Sequence, residues 1–308
     1  MKIRHLGWLW ANSATICEGS GIVLASRRIR FVLKALAVYE SIVPMIDAPN
    51  ESSLGRLMLH RPEALGAIVW PYQCTGWTPC FRLARIRDHY GVIDKIGGAI
   101  DFPVDGRIVL LDLGDIRKGL HIVVDQPVWF MREGQLAINL FVHDVRMYTL
   151  AFSFFHKDGE IAAFVGAIQG RDIDGALEEY RELTKASNGM RPRDFLIEVF
   201  RMFCAELAVG RIFAVSNKHR HHKDRYFGAA AKEKSSANYD EIWEDRGGIR
   251  VDATCYQIEV NSAERDLASI PTKKRGMYRR RFEMLRCIRA SLRDNFSSLG
   301  LMPFSIRS

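Results

Sequence analysis

The sequence predicts an α+β protein in which N-terminal helices precede a central, largely antiparallel sheet with one parallel crossover. Three observations lead to this fold class: helical spacing of apolar residues near the N-terminus, five consecutive strand-like segments after residue 101, and two strands separated by helices. We therefore expect a helical region over residues 1–100 and an α/β domain over residues 101–308. One continuous domain is the alternative.

The composition is that of a folded protein with a basic surface. Of the 308 residues, 48% are hydrophobic and 26% are charged, and 44 Lys and Arg against 36 Asp and Glu give a formal net charge of +8. This composition argues against a disordered chain. The charge favours anionic partners such as lipid headgroups or phosphate-bearing substrates. The six cysteines form no CxxC pair, so we expect a reducing compartment and no disulfide scaffold.

The first twenty residues have a basic start and a short apolar run over residues 6–10. Asn12, Ser13 and Thr15 interrupt that run too early for a signal peptide. No segment of the sequence reaches the length of an apolar membrane span. We therefore expect a cytoplasmic protein whose contact with a membrane would be peripheral.

Residues 27–97 are predicted to be helical, since their apolar side chains recur every three or four positions. Pro62 and Pro71 mark helix starts or breaks. The last helix of this region is expected over residues 81–90, ending near Gly91.

Residues 101–168 are predicted to form an antiparallel meander, because runs rich in Val, Ile, Phe and Tyr are joined by short turns. The expected strands cover residues 107–113, 121–130, 135–143, 147–155 and 160–168. After the last strand, a helix ends at Gly189, Pro192 starts a second helix, and strand Arg211–Val215 follows. The two helices predict that this strand runs parallel to strand 160–168.

The C-terminal third contains a polar, basic segment over residues 218–238, expected to be a mobile loop or a partly helical excursion. Residues 250–260 are predicted to form a strand. Residues 277–295 are predicted to form a helix whose outer face is rich in arginine.

A series of short motifs resembles one known family. They are RP (61–62), PY (71–72), HY (89–90), REGQLAINLF (132–141), GAIQG (166–170), LTK (183–185), GMRPR (189–193), VSN (215–217), NYDEIWE (238–244) and IPTKKRGMYRRR (270–281). In this order the motifs resemble the VirK/YbjX family of Gram-negative bacteria. The resemblance implies a role in lipid A or outer-membrane remodelling, antimicrobial peptide resistance and virulence. Separately from the resemblance, any membrane contact of the expected cytoplasmic protein would be at the inner face of the inner membrane. It implies no particular reaction.

A meander that leads through a helical crossover to a parallel strand is also similar to the fold of acyl-CoA N-acyltransferases, the GNAT fold. In that fold, backbone amides and a helix N-terminus bind the pyrophosphate of the cofactor, and the acyl chain lies between two splayed strands. The similarity implies acyl-CoA or an acyl carrier protein as acyl donor. The chain departs from the fold because two helices separate the strands, and Gln169-Gly170 replaces the glycine-rich loop.

The expected cofactor-binding residues are Gln169, Gly170, Arg191, Arg193, Lys273, Lys274 and Arg275. Arg191 and Arg193 flank the helix start at Pro192, where free amides and cations bind an anion. The alternative is that both arginines pair with acids such as Asp194. The basic run after residue 272 would bind lipid phosphates or a cofactor phosphate, unless it is a solvated face. Nucleic acid is not expected, because no nucleic-acid-binding motif accompanies the charge.

The expected catalytic residues are His219, Tyr239, Asp240 and Glu244. In the VirK/YbjX motif a histidine follows the VSN segment, and His219 matches it as a general base. Asp240 or Glu244 would orient a histidine or abstract a proton from the acceptor. The alternatives are a solvated His219 and acids that only favour a helix start. The histidines at 219, 221 and 222 with Cys255 fit no standard zinc spacing, so no metal is expected.

The sequence therefore leaves two functions open. One is a GNAT-like acyltransferase that acts on an envelope or lipid-derived substrate. The other is a non-enzymatic peripheral protein that binds anionic lipid through its arginine-rich C-terminal helix and modulates envelope enzymes.

Overall fold

The computed structural model describes residues 2–228, 237–261 and 265–300. The predicted α+β class is confirmed, since helices pack against an eight-stranded mixed sheet. The strands are β1 (Arg107–Asp112), β2 (Leu120–Asp125), β3 (Leu136–Val142), β4 (Val145–Lys157), β5 (Glu160–Gly170), β6 (Arg211–Val215), β7 (Ile249–Arg250) and β8 (Cys255–Ile258). Their spatial order is β1-β2-β3-β4-β5-β6-β8-β7. Only β5 and β6 pair in parallel within this sheet.

The predicted meander is confirmed as β1 to β5. One of its strands is shorter than predicted, because β2 ends at Asp125 instead of continuing to residue 130. Pro127 has no N–H to donate to a neighbouring strand, and Val128–Phe130 form a 3-10 turn. This turn leads the chain to Arg132 and Glu133.

Two helices, α6 (Ala176–Ala186) and α7 (Pro192–Glu206), connect β5 to β6. Gly189 has a φ of +78°, and its N–H donates to the Thr184 carbonyl at 2.7 Å, so it ends α6 as predicted. Phe200 of α7 packs on Phe152, with ring centres 4.8 Å apart. The next residue of β4, Ser153, hydrogen-bonds Tyr72 at 2.8 Å. Because successive strand residues point to opposite faces, α7 and the segment that contains Tyr72 lie on opposite faces of the sheet.

The N-terminal region contains five helices and its own apolar cluster, which includes Leu9, Phe31 and Ile42. The helices are α1 (Ile3–Ile16), α2 (Gly21–Ala37), α3 (Tyr39–Ile46), α4 (Ser53–His60) and α5 (Pro79–Ile96). The prediction that the last helix ends near Gly91 is wrong. It runs on to Ile96, because Val92, Ile93 and Ile96 continue its buried face, and Gly97 at a φ of +60° ends it.

The C-terminal part contains α8 (Tyr239–Asp245) and α9 (Thr272–Ser298), and α9 is longer than the predicted helix 277–295. The single strand predicted over residues 250–260 is wrong, since the chain turns there between β7 and β8. The Asp252 carboxylate accepts N–H groups of Thr254 and Cys255 and so builds this turn.

The predicted irregular segment 218–238 contains three short 3-10 turns, Asn217–His219, His221–Lys223 and Arg225–Phe227. Residues 229–236 of that segment lie outside the described residues. Across the described part of the chain, none of the helices combines the length and apolar character needed to cross a bilayer.

Candidate functional site

The ends of the parallel strands β5 and β6 diverge, and α8 fills the space between them. Pairing stops at Val165 and Ala214, while β5 continues to Gly170. The Tyr239 hydroxyl donates to the Ile168 carbonyl at 2.7 Å and accepts its N–H at 2.8 Å. Trp243 Nε1 donates to the Val215 carbonyl at 2.8 Å. The backbone groups that the divergence leaves unpaired are thus satisfied by two buried side chains of α8.

Asp240 and Glu244 lie on the same helix and form a polar network with the β7–β8 hairpin. Asp240 Oδ1 accepts the N–H of Asn217 at 2.7 Å, and its Oδ2 lies 3.8 Å from Arg250 Nη1. Glu244 Oε1 accepts the Tyr256 hydroxyl at 3.1 Å. The structure therefore brings three of the predicted catalytic residues, Tyr239, Asp240 and Glu244, to one strand edge.

His219 lies in the 3-10 turn that follows β6. Its Nδ1 is 2.9 Å from the hydroxyl oxygen of Ser216, which donates in turn to the Ala253 carbonyl. Its backbone carbonyl accepts the N–H of Thr75 at 2.8 Å. His219 is thus half-buried between the strand end and the N-terminal region.

The predicted cofactor-binding residues lie in two places. Arg193 Nε donates to Asp194 Oδ1 at 2.9 Å, whereas Arg191 is exposed at the start of α7. Gln169 and Gly170 are exposed at the end of β5. The Tyr148 ring lies against Gly170, and the charge of Arg193 acts on the Tyr148 hydroxyl, so Arg193 and the end of β5 share one edge.

Lys273, Lys274 and Arg275 form the first turn of α9, where both lysines are exposed. Arg275 donates to the carbonyls of Ile270 and Ala268, so its guanidinium holds the preceding chain. Further along α9, Arg281 donates twice to the Asn188 carbonyl and docks the helix against the α6–α7 loop. This basic turn is separate from the group on α8.

Glu133 and His221 form a mostly buried titratable pair that the sequence did not single out. Glu133 Oε1 lies 3.3 Å from His221 Nε2, and the two side chains are only 13% and 11% exposed. Glu133 Oε2 is buried without a hydrogen-bond partner among the described residues. A buried carboxyl oxygen without a partner is unfavourable for folding, which makes Glu133 a candidate functional group.

The environment moves the pKa values of both groups. Burial raises the pKa of Glu133 to about 7, although the charges of Arg132 and Arg220 act to lower it. Burial lowers the pKa of His221 to about 3, and nearby positive charges act in the same direction. At neutral pH the imidazole is therefore neutral, and the carboxyl is divided between its acid and base forms.

The backbone around Glu133 is fixed by close packing against β5. The Glu133 carbonyl accepts the Gln73 side-chain amide at 3.3 Å, and that amide also donates to the Phe164 carbonyl at 3.1 Å. A Cβ added to Gly166 would lie 2.0 Å from the Glu133 carbonyl oxygen. Glycine at this position of β5 thus lets the Glu133 loop lie directly on the strand.

A cavity of about 370 Å³ opens beside this pair. Polar and apolar residues line it about equally, and Glu133 is one of the polar ones. The lining residues are Thr15, Ile16, Glu18, Glu63, Trp70, Val128, Trp129, Met131, Arg132, Glu133 and His221. A cleft in which aromatic side chains and polar groups converge has features of a small-molecule site.

Two arginines border the pair. The Arg132 guanidinium lies over the rings of Trp70, Phe227 and Tyr226, at 4.6, 5.4 and 5.7 Å from their centres. Arg220 lies 3.7 Å from the ring centre of Tyr239. Arg220 therefore connects the Glu133 site to the predicted catalytic group on α8.

The sequence contained one signal for the missed pair. Arg132-Glu133-Gly134 lies between two predicted strands and opens the REGQLAINLF motif, and its acid stands between an arginine and a glycine. A Cβ on Gly134 would lie 2.5 Å from the backbone of Phe152. An acid in such a tightly packed turn is expected to be buried, which sets it apart from a solvated turn residue.

Comparison with known proteins identifies relatives along most of the chain. The family described as "Protein of unknown function (DUF535)" matches residues 23–294. The chain is 26% identical over 279 residues to "Uncharacterized protein YbjX" of Escherichia coli (strain K12). The aligned residues cover 88% of this chain and 84% of that protein. It is 32% identical over 183 residues to a protein of Haemophilus influenzae, covering 58% and 57% of the two chains. No solved structure matches the chain.

Proposed function

The chain belongs to the DUF535 family, to which the VirK/YbjX proteins belong, and we propose that it is an acyltransferase with Glu133 as its general base. The observation that carries the proposal is the buried Glu133–His221 pair beside a cavity that combines aromatic and polar side chains. A carboxyl with a pKa near 7 both takes up and releases a proton at neutral pH, which general acid–base catalysis requires.

In the proposed reaction, Glu133 removes the proton from a hydroxyl or amine of the acceptor while the acceptor oxygen or nitrogen bonds to the acyl carbon. The carbon–sulfur bond of a thioester donor breaks, and Glu133 returns the proton to the leaving sulfur. Neutral His221 holds the Glu133 carboxyl in place through the 3.3 Å contact. The charges of Arg132 and Arg220 would stabilise the negative charge that develops on the acyl oxygen.

The topology supports a GNAT-like reading, because an antiparallel meander leads through a helical crossover to the parallel pair β5–β6. This supports acyl-CoA or an acyl carrier protein as donor. Since Tyr239 fills the gap between the diverging strands, we place the acyl chain in the cavity lined by Trp70 and Trp129 instead. The exposed Arg191, Lys273 and Lys274 are the better candidates for donor phosphates, because Arg193 and Arg275 already have protein partners.

The acceptor is proposed from the family. The VirK/YbjX resemblance favours an envelope lipid such as lipid A, which offers hydroxyl groups and phosphates. Acylation of such a lipid would fit outer-membrane remodelling, antimicrobial peptide resistance and virulence.

The test is acyl transfer by the purified protein, followed by mass spectrometry, with long-chain acyl-CoA and acyl carrier protein as donors and lipid A as acceptor. Glu133→Gln should lower the rate by about 100-fold or more, because the amide cannot accept the proton. Glu178→Gln, on the exposed face of α6, is the matched control and should retain full activity. Equal rates for wild type and Glu133→Gln would overturn the role of Glu133. Absence of transfer from both donors would overturn the acyltransferase.

A second candidate function, non-enzymatic binding of anionic lipid, is favoured by a groove beside α9. The groove has a volume of about 640 Å³, and four arginines and two acids contribute to its lining together with Leu267 and Phe282. The charged residues are Arg265, Arg279, Arg280, Arg286, Asp266 and Glu283. Binding of a phosphorylated headgroup here would survive Glu133→Gln and would be lost in the double variant Arg279→Glu and Arg280→Glu.

A further inference from the structure

The outer face of α1 is apolar and uncovered. Ile3 is 89% exposed, Leu6 37% and Trp10 44%. These residues are spaced by three and four positions, so they form one stripe along the helix. The inner face is different, since Leu9 and Ile16 are buried in the N-terminal cluster.

Helix α2 has a similar outer face. Ile22 is 89% exposed, Ile29 52% and Leu33 61%, and their spacing of seven and four positions places them on one side of the helix. Val23, beside Ile22, is 55% exposed. Single exposed apolar residues are ordinary, but two neighbouring helices with such stripes form a patch that requires an explanation.

The two helices are held side by side. Arg28 of α2 donates to the hydroxyl of Ser13 at 2.8 Å and to the Trp10 carbonyl at 2.7 Å. Its guanidinium also lies 4.3 Å from the ring centre of Trp10. The exposed Trp10 therefore lies next to α2, and the two apolar stripes belong to one surface.

This surface is strongly basic. Residues 2–37 contain six Lys and Arg and a single acid, Glu18. Lys2 and Arg4 lie 3.7 and 2.6 Å from the Asp47 carboxylate, and Arg28 is held against Trp10. The remaining cations, Arg27, Arg30 and Lys34, are exposed on α2. Apolar residues flanked by cations, on helices without acids, match the interface of a bilayer that contains anionic lipid.

We infer that α1 and α2 form a docking surface for an anionic membrane, with the exposed apolar side chains inserted between headgroups and the cations on lipid phosphates. A second copy of the chain fits this surface less well, because a two-fold contact would place the cations of one copy against those of the other. This inference goes beyond the proposed reaction and does not depend on it.

The docking surface adjoins the cavity described above. Thr15, Ile16 and Glu18, at the end of α1, line that cavity together with Trp129, which is 69% exposed. A membrane held by α1 and α2 would therefore lie near the cavity opening. If the proposed function holds, the acceptor lipid would enter the cavity from the bilayer.

The experiment is flotation of the full-length protein with vesicles of pure phosphatidylcholine or with about 30% phosphatidylglycerol added. The wild type should float with the anionic vesicles only. The double variant Ile29→Ser and Leu33→Ser should lower the bound fraction by about tenfold or more, as should Arg30→Glu with Lys34→Glu. Leu177→Ser, which changes a 73% exposed residue of α6, is the matched control and should bind as the wild type does.

Circular dichroism of each variant establishes that it is folded. Flotation of the folded α2 variants at the wild-type level would overturn the inference. It would also be overturned if the double variant Arg279→Glu and Arg280→Glu lost flotation while the α2 variants kept it. A dimer in size-exclusion chromatography that dissociates in the α2 variants, without vesicle binding, would show that a second copy covers the surface. Because flotation requires no catalysis, its failure would leave the acyltransferase test unaffected.

Discussion

The Tyr239 hydroxyl donates a hydrogen bond to the carbonyl oxygen of Ile168 and accepts one from the N–H of the same residue. It takes the place of a neighbouring strand at the point where β5 and β6 separate. Tyr239 is fully buried, and burial raises the pKa of its hydroxyl, which therefore stays protonated at neutral pH. A residue that the sequence suggested as catalytic thus has a definite role in closing the sheet.

Tyr239→Phe is expected to destabilise the protein by about 1–3 kcal/mol, because it leaves buried backbone groups of Ile168 unpaired. Urea denaturation followed by circular dichroism measures this change in the free energy of unfolding. The matched control is Tyr226→Phe, at a side chain that is 48% exposed, which should change stability by less than about 0.5 kcal/mol. Equal effects of the two substitutions would contradict the role assigned to the hydroxyl.

Much of the fold was predictable because its signals are local. The alternation of the meander, the helix end at Gly189 and the start at Pro192 each depend on a few neighbouring residues, and the structure confirms them. The hairpin at Asp252 was missed, since a side chain builds the turn and no glycine or proline marks it. Gly91 misled the prediction, because burial of the following residues continues α5 through it.

The candidate site was less predictable, because its parts come from distant segments. Glu133 lies in the turn before β3 and His221 in the segment after β6, and only the folded chain brings them to 3.3 Å. The shifted pKa of Glu133 arises from burial, which no spacing in the sequence reports. In contrast, the grouping of Tyr239, Asp240 and Glu244 followed from their positions on one helix.

The second prediction concerns His89, which is fully buried and whose pKa burial lowers to about 3. Its Nδ1 accepts the N–H of Phe154 at 3.0 Å. The unfolded chain takes up a proton near pH 6.5, but the folded protein does not. The free energy of unfolding should therefore fall as the pH drops from about 6.5 towards 3.

His89→Asn removes this proton uptake and keeps a hydrogen-bond acceptor near Phe154. As the pH falls, the free energy of unfolding should decrease less steeply for the variant than for the wild type. The two slopes should differ by up to about 1.4 kcal/mol per pH unit. Urea denaturation at pH 6.5, 5.5 and 4.5 gives the two slopes. Parallel slopes for the wild type and the variant would contradict the prediction.

The third prediction concerns Glu133, whose pKa shifts in the opposite direction, to about 7. The buried carboxylate destabilises the fold above that pH. This cost disappears as the pH falls below about 4.5, the pKa of the carboxyl in the unfolded chain. Glu133→Gln should therefore stabilise the protein at pH 8 and stabilise it less at pH 5. Urea denaturation of both proteins at the two pH values measures how much the substitution stabilises the fold at each pH. An equal or smaller stabilisation at pH 8 than at pH 5 would refute the prediction.

The fourth prediction compares two glycines. Gly166→Ala would place a Cβ 2.0 Å from the carbonyl oxygen of Glu133, so the backbone of the loop or of β5 must move. We expect a loss of about 2–3 kcal/mol or more in the free energy of unfolding. The same substitution at Gly91 meets no atom within 4 Å inside α5, and it should stabilise the protein by about 0.5–1 kcal/mol.

Both variants add the same methyl group. A loss of stability in one and a gain in the other, measured by thermal and urea denaturation, would therefore be due to the close approach of Glu133 to β5. Because Gly166→Ala displaces the Glu133 loop, it should also lower any acyl-transfer activity, whereas Gly91→Ala should leave that activity unchanged. If Gly166→Ala were as stable and as active as Gly91→Ala, the Glu133 loop would not need to lie on β5. Glu133 would then not be held at the position from which it contacts His221.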